Sequence, residues 1–133
     1  AKAVEIAIDD MDAENKKYKK WTDTMLEEFS SVGGKLNGHL TNRLNHNLNI
    51  RFDGVQSKSI INTVSKKLAI SAGSACTSDL VEPSHVLLAL GLSEKQAHNS
   101  IRIGCNRFNT DKEIDFAITE ILNALKSIAK IRV

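Results

Sequence analysis

Two cysteines among 133 residues exclude a disulfide-rich scaffold and a self-contained four-cysteine zinc site. One proline and an aromatic content of 5% leave few rigid turns and little aromatic surface. Neither charge sign dominates: 18 basic against 16 acidic residues give a formal net charge of +2, too balanced to point to nucleic acid or a membrane surface. No run of 18 apolar residues occurs, so no membrane-spanning helix is expected. The first residues mix Glu5, Asp9 and Asp10 into their apolar positions, unlike a signal peptide. Glycine-rich phosphate cradles and the HExxH metal pattern are missing, as are internal repeats and linkers. What is present is 41% hydrophobic and 26% charged residues, the composition of one globular domain able to bury its own core.

The periodicities predict an α+β (α/β) domain: a sheet of three or four strands with helices packed on it. Val4, Ile8, Met11, Tyr18, Trp21, Met25 and Phe29 recur at helical spacing, and Gly33-Gly34 closes the run. Thirty residues of helix span about 45 Å, against roughly 36 Å for the diameter of a domain this size. The helix at 1–31 should therefore overhang the rest of the domain, 32–133, and its apolar stripe needs something else to cover it, a hint of a larger architecture. Leu44 to Phe52 alternates as a half-buried strand with His46 on its apolar face, and Asp53-Gly54 turns the chain. Ile60, Ile61, Val64 and Leu68 mark a short helix, and Lys67 to Ile70 leads into a second short strand. Pro83 opens a helix that Gly91 ends, and Ser93 with Gln96 caps another. Ser100 to Gly104 is a third strand. Thr110 and Glu113 box the start of a last helix carrying Ile114, Ile118, Ile121, Leu125 and Ile128.

Three positions draw chemical interest. Cys76 sits among small residues, Ser71, Ala72, Gly73, Ser74, Ala75, Thr77 and Ser78, which cannot pack as a core element and read as a mobile surface loop. An exposed thiol on a moving segment suits a nucleophile or sulfur carrier; an inert surface thiol is the plain alternative. Cys105, after Ile101-Arg102-Ile103-Gly104, reads as a partly buried thiol. A Cys76–Cys105 disulfide stays open on sequence alone. Arg102 lies between two isoleucines, so alternation sends it away from the core, free to hold a carboxylate or simply solvated. His39, His46, His85 and His98 form no ligand spacing, and no metal site is expected. The lysines at 16, 17, 19 and 20 are the solvated side of a helix.

The stretch Ser71 to Ser78 resembles the active-site cysteine loop of group I cysteine desulfurases, the iron–sulfur-cluster type. The likeness continues through Glu82-Pro83-Ser84-His85-Val86-Leu87, Ala97-His98-Asn99-Ser100-Ile101-Arg102 and Arg107-Phe108-Asn109-Thr110. It departs at His46, where proline or a small residue is more usual nearby. The resemblance implies the small domain of a fold type I pyridoxal-phosphate enzyme, homodimeric and cytoplasmic (or in the mitochondrial matrix in a eukaryote). Such an enzyme takes sulfur from L-cysteine, gives L-alanine, and passes an enzyme persulfide to iron–sulfur scaffold proteins and tRNA-thiolation acceptors. By resemblance Cys76 is the nucleophile and Arg102 binds the substrate carboxylate. The family's Ser-x-His-Lys cofactor motif has no match: the four histidines precede Leu40, Asn47, Val86 and Asn99. The resemblance thus implies the C-terminal part of the enzyme, inactive alone, with pyridoxal 5'-phosphate held elsewhere in the parent. A free-standing persulfide carrier or scaffold-binding module without cofactor is the alternative. No direct partnership with nucleic acid or membrane is expected.

Overall fold

The computed structural model describes residues 2–72 and 82–131. Helix α1 (Lys2–Ser31) leads into strand β1 (Gly34–Leu36), then β2 (Asn47–Phe52), α2 (Ser57–Val64) and β3 (Ser71–Ala72). Two short helices, α3 (His85–Ala89) and α4 (Glu94–His98), precede β4 (Ser100–Gly104) and the closing helix α5 (Asp111–Ile131). The four strands form one antiparallel sheet in the order β1-β2-β4-β3.

Alternation explains the sheet's two faces. Leu48, Ile50 and Phe52 of β2 and Ile101 and Ile103 of β4 are buried, and pack with Trp21, Met25 and Phe29 of α1 and Ile114, Ile118 and Ile121 of α5. Asn47, Asn49 and Arg51 point to the other face. The expected overhang of α1 is present. From Tyr18 onward the helix supplies core residues, whereas Val4, Ile8 and Met11 stay 59%, 64% and 56% exposed.

The helix ends as its glycines require. Gly33 adopts φ +87°, and its N–H donates to the Ser30 carbonyl at 3.0 Å. Gly34 serves differently, as close approach: a Cβ there would stand 2.7 Å from the Phe29 carbonyl oxygen and 2.9 Å from the Phe52 ring. Gly34→Ala is expected to cost about 1–3 kcal/mol through overpacking. An unchanged urea midpoint would contradict this.

The packing of α1 on α5 has a polar clasp. Trp21 Nε1 donates to Asp111 Oδ1 at 2.5 Å, and Lys20 Nζ reaches Asp111 Oδ2 at 2.9 Å. These two donors, the Trp21 hydrogen bond foremost, hold the Asp111 carboxyl below the ordinary carboxylate value. A carboxyl lowered in the folded state stabilises above its unfolded pKa, about 3.9, and loses that contribution as pH falls through the folded value. Acid titration followed by fluorescence of Trp21, the single tryptophan, should show a transition below about pH 4 that Asp111→Asn removes. The same transition in the variant would exclude this clasp as its source.

Four expectations need correction. β1 was not expected: three residues, Gly-Lys-Leu, are too short to show alternation, and pairing with Phe52, Arg51 and Ile50 creates the strand. The run Lys67 to Ile70 does lead into a strand, which is Ser71–Ala72. Ser71 and Ala72, expected in the mobile loop, instead pair with Arg102 and Ile101, because the open edge of β4 offers backbone partners to whatever small residues reach it. Leu44 to His46 precede β2, so His46 is exposed rather than a core histidine, and its ring meets only the edge of Tyr18. The helix predicted to open at Pro83 starts two residues later, at His85. Both capping boxes are formed, Ser93 with Gln96 and Thr110 with Glu113.

Candidate functional site

The polar face of the sheet carries the site. Near its β1 side that face is closed by side chains. Asn37 Nδ2 donates to Asn49 Oδ1 at 2.7 Å and to Ser100 Oγ at 2.9 Å, while Arg51 donates to Asn37 Oδ1 at 2.8 Å. Ser100 Oγ in turn donates to the Gln96 carbonyl at 2.7 Å, which fixes α4 to the start of β4. Asn99 completes the anchor. Its side-chain amide is satisfied with nitrogen toward the Val55 carbonyl and oxygen toward the Gly54 N–H, 3.1 Å each. Its main-chain carbonyl accepts from Phe52 N–H at 3.1 Å. These linked groups, in which Arg51 Nε is left without a hydrogen-bond partner, set the register of β4 and thereby where Arg102 stands.

Arg102 lies two residues on, on the same face, exposed between the buried Ile101 and Ile103. Its neighbours across the ladder are Asn49 on β2 and Ser71 on β3. It lines an open groove of about 490 Å³ whose other walls include His39, Arg43, Asn49, Val86 and Leu87. No aspartate or glutamate is among the described lining residues. The Arg102 guanidinium lines the groove and forms no ion pair or side-chain hydrogen bond among the described residues. Arg43 is tied back by an Nη2–H bond to the Asn47 carbonyl. Burial lowers its guanidinium below the ordinary value, but an arginine stays charged. Its Nε and Asn47 Oδ1 are buried without partners. His39 Nδ1 accepts from the N–H groups of Thr41 and Asn42 at 3.1 and 2.9 Å, a turn cap rather than a ligand. The groove's described walls thus carry two cations and no anion, an electrostatic setting that suits a carboxylate.

Cys105 is a free, buried thiol at the end of β4, held by its N–H to the His46 carbonyl at 2.8 Å. Burial raises its thiol pKa, so it is a poor nucleophile. Cys76, with Gly73, Ser74, Ala75, Thr77 and Ser78, lies outside the described residues. Among the described residues there is no cluster of potential metal ligands, and no helix is long and apolar enough to cross a membrane. Sequence reasoning found Arg102 through its isoleucine neighbours. It missed Asn37, Asn99 and Ser100, whose one sequence trace is the polar alternation Asn47, Asn49, Arg51.

A model of the aminotransferase class-V family matches residues 2–116. Among curated proteins, the cysteine desulfurase IscS of Methylobacillus flagellatus is 45% identical over 117 residues, covering 87% of this chain and 29% of the relative. That of Pseudomonas fluorescens strain Pf0-1 is 42% identical over 127 residues, covering 95% and 31%. Among solved structures, a NifS-like protein superimposes with a TM-score of 0.80 at 23% identity, over 94% of this chain and 32% of the other. A NifS-like protein from Rickettsia africae gives 0.73 at 21% identity, over 89% and 31%. At such identities the structures speak to the fold alone. The chain spans about three-tenths of the length of the curated relatives it matches. A family model that covers most of the residues, over a fold shared with NifS-like structures, places this chain in the class-V aminotransferase family.

Proposed function

We propose that this chain is the small-domain part of a cysteine desulfurase, with residues 1–31 as the helix that joins it to a cofactor-holding domain. The parent removes sulfur from L-cysteine to give L-alanine. Cys76 takes the sulfur as a persulfide and Arg102 holds the substrate carboxylate. The observation that carries this reading is the Arg102 guanidinium, without a partner among the described residues, in a groove whose described walls hold no acid. The strand that leads toward Cys76 supports it: Ser71 of β3 is the register partner of Arg102, and Cys76 follows five residues later.

The chemistry balances simply. The Cys76 sulfur forms a bond to the substrate sulfur, the substrate C–S bond breaks, and the carbon left behind takes a proton. One thiol and one cysteine become one persulfide and one alanine.

Pyridoxal 5'-phosphate is the cofactor that family membership brings to the parent, where it acts as an electron sink. The described groove does not fit it as a covalent site. No lysine lines the groove, and no histidine in the sequence is followed by lysine. Its lysine is therefore assigned to the partner domain, and the 133-residue chain alone should not turn over cysteine. Iron–sulfur scaffold proteins and other sulfur acceptors, a homodimeric parent and a cytoplasmic setting belong to the same reading.

The test is alanine and sulfide release from L-cysteine by the cofactor-loaded parent protein. Stoichiometric alanine with sulfur on Cys76 supports the assignment. Transamination products without alanine would overturn it.

A further inference from the structure

A second cleft, of about 810 Å³, opens on the other side of Asn99, between the start of α2 and the end of α4. We propose that it is an anion site that takes a dianionic phosphate group. The inference stands on no part of the sulfur-transfer reading.

The first observation is the end of α2. Gln56 caps it with extended backbone but no side-chain hydrogen bond. Its carbonyl accepts from Ser59 and Ile60, while Ser57 and Lys58, in the first turn, have no carbonyl one turn back to receive their N–H groups. Two N–H groups and the positive end of the helix dipole thus face the cleft. The second is Ser57 itself. The residue is 94% buried (6% exposed), it lines the cleft, and its hydroxyl has no hydrogen-bond partner among the described residues. The hydroxyl is open to the cleft rather than sealed in the core, so it stands with the two N–H groups as a donor available to whatever enters.

The third is charge. Lys58 and Lys95 line the same cleft, neither in an ion pair among the described residues, with His98 as a further N–H donor. Among the described lining residues Glu94 is the single acid against Lys58 and Lys95, so their side chains carry a net positive charge before the helix end is counted. The geometry is fixed rather than incidental. The Asn99 amide clamps the Gly54-Val55 turn that feeds α2, and this holds α4 against the helix start. The C-terminal carbonyls of α4 do not compete for the cleft. Lys95 and Gln96 accept from the Asn99 N–H at 3.2 Å each, and Gln96 also from Ser100 Oγ.

The experiment is an amide NMR titration of the full chain with inorganic phosphate, with glycerol phosphate as a monoester arm and chloride at matched ionic strength as the control. Saturable shifts at the Ser57 and Lys58 amides are expected. Lys58→Glu, at an exposed position, should weaken binding roughly tenfold by reversing one charge at the helix end, and Ser57→Ala roughly threefold. Tighter binding of the monoester identifies a phosphorylated ligand; equal binding identifies free phosphate. Absence of saturable shifts, shifts reproduced by chloride, or undiminished binding in Lys58→Glu overturns the proposal.

Discussion

Replacing Cys76 with serine is expected to abolish persulfide formation in the cofactor-loaded parent and to lower sulfide release by about a thousandfold or more. A thiol of ordinary pKa near 8.5 is a few per cent thiolate at neutral pH, whereas a serine hydroxyl is essentially never ionised and is a far weaker nucleophile toward sulfur. The chain's other thiol cannot stand in. Cys105 is buried at the end of β4, and its burial disfavours the thiolate. The covalent tether also fits the assignment. Ala72 pairs beside Arg102 in the sheet, and four residues onward to Cys76 span at most about 14 Å. The measurement is intact mass of the protein after one turnover. Wild type should gain one sulfur atom on the peptide that contains Cys76, and the serine variant none. A serine variant that still gains sulfur, or still passes it to an acceptor, would remove Cys76 from the reaction.

The sequence made the core legible wherever a period ran long enough to be read. Trp21, Met25 and Phe29 on α1, Ile114, Ile118 and Ile121 on α5, and the alternation from Leu48 to Phe52 all fall where the pattern puts them, because each sits on one face of an element at least six residues long. The same rule exposed Arg102 between Ile101 and Ile103. Short elements escaped. β1 and β3 have three and two residues, and they exist because neighbouring strands offer hydrogen bonds, not because Gly34 or Ser71 favours a strand. His46 misled because alternation, read backwards from Leu48, continues past the point where the strand ends. The anchor formed by Asn37, Asn99 and Ser100 was invisible for a different reason. Its bonds join residues 63 apart, as from Asn37 to Ser100, and no local pattern encodes such a pairing.

Arg102 carries the second large effect. Arg102→Gln in the parent should raise KM for L-cysteine about a hundredfold, since two charge-assisted hydrogen bonds to a carboxylate contribute roughly 3 kcal/mol. Arg102→Lys should recover part of the loss: the charge remains but the two-pronged geometry does not. The fold should not move. Arg102 is exposed, outside the Asn37–Ser100 network, and unpaired among the described residues, so its removal breaks no bond among them. Thermal midpoints of the variants should match wild type, and that separates carboxylate binding from a structural role. The neighbouring Ser100→Ala makes the contrast, because it removes a buried hydroxyl that both accepts from Asn37 and donates to Gln96. Ser100→Ala should therefore lower the midpoint, at a cost of about 1–3 kcal/mol, with a smaller change in KM. If Arg102→Gln leaves KM unchanged, the groove does not bind the substrate carboxylate. If it lowers the midpoint as much as Ser100→Ala does, the guanidinium holds the sheet rather than the substrate.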